Sequence, residues 1–175
     1  MDQVKPITRV PEASTSGEIA SFEEFFQQHQ GDLHAALWLI TRNRHEAEEI
    51  MQDAFLRLWE RWDRVATVQD PVGYLYRTAM NEFRSRARRA AMALRRAVHT
   101  LPVDDAMAAV EAREEVALAL SKLTPRERAA VVLTNVLGFT SEEASRALGV
   151  QPATVRVLAA RGRGRIQKEV IDDAQ

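Results

Sequence analysis

A chain of 175 residues can form one ordinary domain or two small ones. Its 46% hydrophobic content permits true cores, while a net charge of −1 gives no overall attraction to nucleic acid or membrane. Cysteine is absent, which excludes disulfides and thiolate metal sites. No apolar run reaches a membrane span and the first residues lack the order of a secretory signal, so a cytoplasmic protein is expected.

Residues 1–20, with Pro6, Pro11 and Ser14-Thr15-Ser16-Gly17, show no apolar period and are expected to form a disordered tail. From Ser21 the spacing of Phe22, Phe25, Phe26, Leu33, Leu37 and Ile40 predicts a helix, with Gly31 a point where it could break. Ala47, Ile50, Met51, Ala54, Phe55, Leu58, Trp59 and Trp62 then predict one apolar stripe, opposite Glu46, Glu49, Gln52, Asp53 and Arg57. After a polar connection from Asp63 to Asp70, Pro71 suits the first turn of another helix. That helix would bury Val72, Leu75, Ala79 and Phe83 and run into Arg84, Arg86, Arg88, Arg89, Arg95 and Arg96. A linker around Pro102 to Asp105 leads to acidic Glu111, Glu114 and Glu115. Thr124-Pro125-Arg126-Glu127 and Thr140-Ser141-Glu142-Glu143 are capping boxes, with Gly138 allowing a reversal between them and Gly149 preceding a last helix from Pro152. No strand is predicted.

A short helix, a glycine turn and an Arg-rich helix form helix-turn-helix grammar, in which the second helix enters the major groove. Thr154, Arg156, Arg161, Arg163 and Arg165 supply its outer face, while Val155, Leu158, Ala159 and Ile166 can pack inward. The plainer alternative is a three-helix bundle with a solvated basic face. In the arginine run, Tyr74, Tyr76 and Phe83 interleave with Arg77, Arg84 and Arg86, the combination that stacks unpaired bases and holds phosphates. Tyr76 or Phe83 can equally be core, and for Phe83 that reading is favoured. His29, His34, His45 and His99 show no metal-ligand spacing, and no phosphate cradle or nucleophile elbow is present. Neither catalysis, a metal nor a cofactor is expected.

Three motifs in register carry a family resemblance. The run from Glu46 to Trp59 resembles the polymerase-binding helix of extracytoplasmic-function sigma factors. Tyr74 to Asn81 is similar to their helix for the downstream (−10) promoter element, and Leu123 to Ile166 to their helix-turn-helix for the upstream (−35) element. The likeness spans about Phe22 to Lys168. It implies an all-α fold of two small helical bundles joined by a flexible linker. The divisions would be a tail (1–20), a front bundle (21–90), a linker (91–111), a rear helix-turn-helix bundle (112–170) and a tail (171–175). The implied partners are core RNA polymerase, through its largest-subunit clamp and its flap, promoter DNA, and an anti-sigma factor.

The resemblance also implies residue roles. Glu49, Gln52, Asp53 and Arg57 would face polymerase. Tyr74, Arg77, Asn81, Arg84, Arg86 and Arg88 would meet the downstream element, beside a 63–70 loop that captures a flipped base. Gln151, Thr154, Arg156, Arg161 and Arg163 would meet the upstream element. Several residues depart from the family pattern. Tyr74 stands where tryptophan is common, Ser145 where a small apolar residue is usual, and Val157, Leu158 and Ala160 where residues are often polar or larger. Gly162 and Gly164 each cost a helix interior about 1 kcal/mol against alanine, so the last helix is expected to fray near Arg161. The competing function is a freestanding helix-turn-helix regulator, which would leave the front half without a purpose.

Overall fold

A computed structural model describes residues 21–96, 116 and 118–172, and all regular structure among them is helical. The 1–20 tail, linker residues 97–111 with His99, acidic Glu111, Glu114 and Glu115, and residues 173–175 lie outside the described residues.

The front bundle comprises α1 (Phe22–Thr41), α2 (Arg44–Trp59), a single turn α3 (Trp62–Val65) and α4 (Pro71–Arg96). Ser21 caps α1 by accepting from the Glu24 N–H at 3.2 Å, and Asn43 caps α2 from the Glu46 N–H at 3.0 Å. Between them Arg42 turns the chain in the left-handed region at φ 60°, with its guanidinium over the Trp38 ring. Gly31 does not break α1; it stands exposed with open space where a side chain would be. Leu33, Leu37, Ile40, Ala47, Ile50, Ala54, Leu58, Leu75, Ala79 and Met80 are buried as the core of the bundle. At one end Phe22, Phe25, Phe26, Phe55 and Trp62 interlock, with Phe26 and Phe55 edge to face at 4.8 Å.

Trp59 corrects the expected stripe. It is 61% exposed, at the C-terminal end of α2. α4 remains helical to Arg96, through the first residues of the expected 91–111 linker.

The rear bundle holds a helical segment at 118–121, α5 (Pro125–Val131) running into a π-helical turn (Val132–Val136), α6 (Ser141–Leu148) and α7 (Pro152–Asp172). Both capping boxes form: Thr124 and Glu127 satisfy each other's backbone N–H groups, as do Thr140 and Glu143. Gly138 and Gly149 adopt φ values of 72° and 62°, making the two reversals. Buried Ser145 satisfies its hydroxyl by donating to the Glu142 carbonyl at 2.7 Å, which explains how a polar residue serves at that position.

The expected fraying at Arg161 does not occur, and α7 continues to Asp172, into the expected 171–175 tail. Gly162 is buried where α7 crosses α5, and a Cβ there would stand 2.6 Å from Val131 Cγ2 and 3.3 Å from Leu123 Cδ1. Its bare Cα is what lets the helices approach, so packing offsets the poor helix propensity.

The two bundles pack on one another. The Tyr76 ring of α4 meets Phe139 edge to face at 5.1 Å, and both residues are buried. Arg84 of α4 donates to the Leu148 carbonyl at the end of α6. Buried Arg128 of α5 donates to the Ile40 carbonyl near the end of α1 at 3.1 Å and to the Leu123 carbonyl at 3.0 Å. A cation at a helix C-terminus also complements the helix dipole.

Candidate nucleic-acid interface

Three surfaces carry the residues singled out by the sequence. The first lies between α2 and α4. Arg86 donates to Glu49 and, at 2.7 Å, to Asp53, while its Nε stands 3.5 Å from Glu82. Nearly buried Glu82 also accepts from Arg57 at 2.9 Å and from Arg89 at 3.0 Å. This network pins α2 to α4. Burial alone would lower the Arg86 pKa, but the bonds from Asp53 and Glu49 outweigh it and raise the value. Glu49, Asp53 and Arg57, expected to face a partner, are therefore tied to α4, and Arg86, expected on DNA, turns toward α2.

Of that set only Gln52 is exposed without an ion pair among the described residues, and its surroundings were not foreseen. It joins Leu56 (53% exposed) and Trp59 around a shallow hollow of about 370 Å³ floored by Phe22, Phe26 and Phe55. Leu56 carried a legible signal, as an apolar residue placed off the core stripe.

The second surface is the α3–α4 corner. Half-buried Tyr74 lines a hollow of about 130 Å³ with Arg61, Arg64, Val65 and Val68. The 63–70 connection, expected to be a polar loop, thus contains a helical turn that buries Val65. Along α4, Arg77, Asn81 and Arg88 are exposed, and Asn81 accepts from Arg84. Burial and the like charges of Arg88, Arg77 and Arg126 lower the Arg84 pKa, so a positive field spans α4 and the start of α5. Tyr76 and Phe83 pack with the core.

The third surface is α7. Gln151, Thr154, Arg156, Arg161 and Arg163 are all exposed, whereas Val155 and Ala159 are buried and Leu158 and Ile166 pack against the core. Arg156 lies 3.6 Å from exposed Glu142 and Arg163 bonds Asn135 at 3.3 Å, both loose surface contacts. Arg165 instead pairs with buried Glu127 at 3.4 Å. His29 packs against Phe25, with burial lowering its pKa, and no group that could hold a metal occurs among the described residues.

Comparison with known proteins decides what these surfaces belong to. Residues 25–92 match Sigma-70 region 2, and residues 113–166 match Sigma-70, region 4. The chain is 31% identical over 162 residues to the ECF RNA polymerase sigma factor SigM of Mycobacterium tuberculosis, covering 89% of this chain and 80% of that one. The chain belongs to the extracytoplasmic-function (ECF) sigma factors. It is also 27% identical to the RNA polymerase sigma-E factor of Streptomyces coelicolor, with 89% of each chain covered. In fold it is similar to the sigma factor RpoE of Bartonella quintana, solved in complex with the anti-sigma factor NepR, at a TM-score of 0.70 and 21% identity over 84% of this chain and 94% of that one. As an ECF sigma factor it binds core RNA polymerase and directs promoter recognition and transcription initiation. The front half therefore has a purpose that a freestanding regulator would not give it.

Proposed function

We propose that this sigma factor divides its work among the three surfaces. Gln52, Leu56 and Trp59 form the centre of the contact with the polymerase clamp, flanked by Glu49, Asp53 and Arg57, whose outer edges remain partly exposed. A large half-exposed aromatic residue beside an apolar hollow is the usual anatomy of an interface hot spot. The hollow at Tyr74 receives a base of the opened non-template strand, with Arg61 and Arg64 beside it for phosphate and Arg77, Asn81 and Arg88 along the strand's path. Arg86 serves this site indirectly, by fixing α4 on α2. The α7 face from Gln151 to Arg163 reads the upstream element in duplex form.

The single observation that carries this reading is the division of α7: buried Val155 and Ala159 seat the helix, and every candidate base-reading residue projects outward. The work is binding throughout, without bond making, in the cytoplasm where polymerase acts. An anti-sigma partner is proposed on the likeness in fold to RpoE. Sequencing of transcripts made by core polymerase with and without the full chain tests the reading. New start sites that share one upstream and one downstream motif are expected, and their absence with confirmed binding to core would overturn it.

A further inference from the structure

The outward side of α7 is not uniformly basic. Val157 stands two residues after buried Val155 and two before buried Ala159, and it is 49% exposed. At about 100° per residue it points almost directly away from the core. Exposed Ala153, Ala160 and Gly164 share that crown of the helix. By the same helical count the polar residues fall to either side of it, Arg156 and Arg163 on one flank and Thr154 and Arg161 on the other.

A crown of short side chains governs how deep the helix can go. The major groove is about 12 Å wide, close to the ~10–12 Å diameter of a helix with its side chains. Alanine and glycine thin α7 on its leading side, and Gly164 has open space where a Cβ would stand. Val157 is then the group that reaches the groove floor first, while the flanking arginines reach the groove walls, whether phosphate or outer base edge.

Chemistry limits what a valine can recognise there. Its side chain neither donates nor accepts a hydrogen bond, and the C5-methyl of thymine is the one apolar group among the recognition groups of the major-groove base edges. Over cytosine the same valine would cover the N4 amino group and leave a donor unpaired, which opposes binding. The side chain is also preorganised, because branching at Cβ leaves one strongly preferred χ1 rotamer in a helix and holds the methyl groups in place before DNA arrives. A lone exposed valine is ordinary on a protein surface. One centred between two polar rows of a groove-binding helix has a ligand to meet.

We propose that Val157 is a specificity-determining residue, selecting thymine at one position of the upstream element by packing on its C5-methyl group. The proposal rests on the reading of α7 as the helix that enters the upstream element.

Holoenzyme assembled from core polymerase and the full chain can be titrated with promoter duplexes taken from its own mapped start sites. Each thymine of the upstream element is replaced in turn by deoxyuridine, which removes the C5-methyl and keeps every hydrogen-bonding group. At one position the swap should weaken binding by about fourfold, the contribution of one buried methyl group. Val157→Ala should weaken binding to the thymine duplex by a similar factor and be indifferent to deoxyuridine at that position. The site is exposed and alanine is the better helix former, so the variant keeps its fold. Absence of any methyl-sensitive position would overturn the proposal, as would a sensitivity that persists undiminished in Val157→Ala. Either result leaves the sigma-factor reading standing if the holoenzyme still prefers its promoter to a duplex with a scrambled upstream element, whereas loss of that preference would overturn the reading of α7 as well.

Discussion

The two bundles use arginine in opposite ways. In the front bundle Arg57, Arg86 and Arg89 converge on Glu82, with Glu49 and Asp53 completing the network around Arg86. In the rear bundle Arg156, Arg161 and Arg163 stand outward on α7, touching at most a loose surface partner. The difference lies in what each helix packs against. Helix α4 lies beside acidic α2, so its Arg86 finds carboxylates within the fold. Helix α7 packs on α5 and α6 through Val155, Ala159 and Gly162, so that Arg165 reaches Glu127 while Arg156, Arg161 and Arg163 stay exposed. Residue type alone does not mark a binding arginine; the charge of the neighbouring helix does.

The largest expected effect comes from removing the centre of the front network. Arg86→Ala leaves Glu49, Asp53 and nearly buried Glu82 without their shared cation, and breaking such a partly buried set should destabilise the bundle by about 3 kcal/mol. Denaturant unfolding of the full chain measures it. A loss confined to DNA affinity, with unfolding unchanged, would restore Arg86 to the interface and break the contrast between the bundles.

Much of this was legible in the amino-acid order, and what was not has a physical cause. The capping boxes at Thr124 and Thr140 depend on local spacing, and both formed as read. The inward face of α7 followed from helical period alone. Gly162 misled because its cost is local and visible, whereas its benefit, the approach of Val131 and Leu123 from α5 and the segment before it, is tertiary. The partners of Arg86 lie 33 and 37 positions away in sequence, beyond any periodic signal. The junction of Tyr76 with Phe139 is equally remote, and neither residue's type announces it.

Trp59→Ala comes next in size. Because Trp59 is mostly exposed, chain stability should hold to within about 0.5 kcal/mol. Affinity for core polymerase should fall by about 2 kcal/mol if the ring is the anchor of the clamp contact. Competition binding with labelled core measures this, and unaltered affinity would move the docking face elsewhere on α2. Arg161→Ala should weaken upstream-element binding by roughly 1.5 kcal/mol if the guanidinium reads a base edge. Should Arg161 meet only phosphate, the loss will be the same on every promoter and the salt dependence of binding will diminish.

The smallest effect concerns Glu127, an acidic residue buried in the rear bundle. Burial would raise its pKa, yet the Thr124 hydroxyl and N–H, at 2.8 and 3.0 Å, together with Arg165 and Arg161, hold it below the ordinary 4.5. A depressed folded-state value means that the ionised form is the one the fold favours. Above pH 4.5 both folded and unfolded chains are ionised and the stabilisation is complete; as pH falls below that, the unfolded chain takes up the proton first, so the contribution is lost through the folded-state pKa. Glu127→Gln should therefore cost about 1 kcal/mol at neutral pH, the size of a helix cap, and progressively less in acid. Unfolding midpoints of both chains across that range test it. A difference that stays constant down to the lowest pH would assign Glu127 to packing, and the rear bundle would then owe its order to shape and not to the charge that its α7 arginines otherwise direct outward.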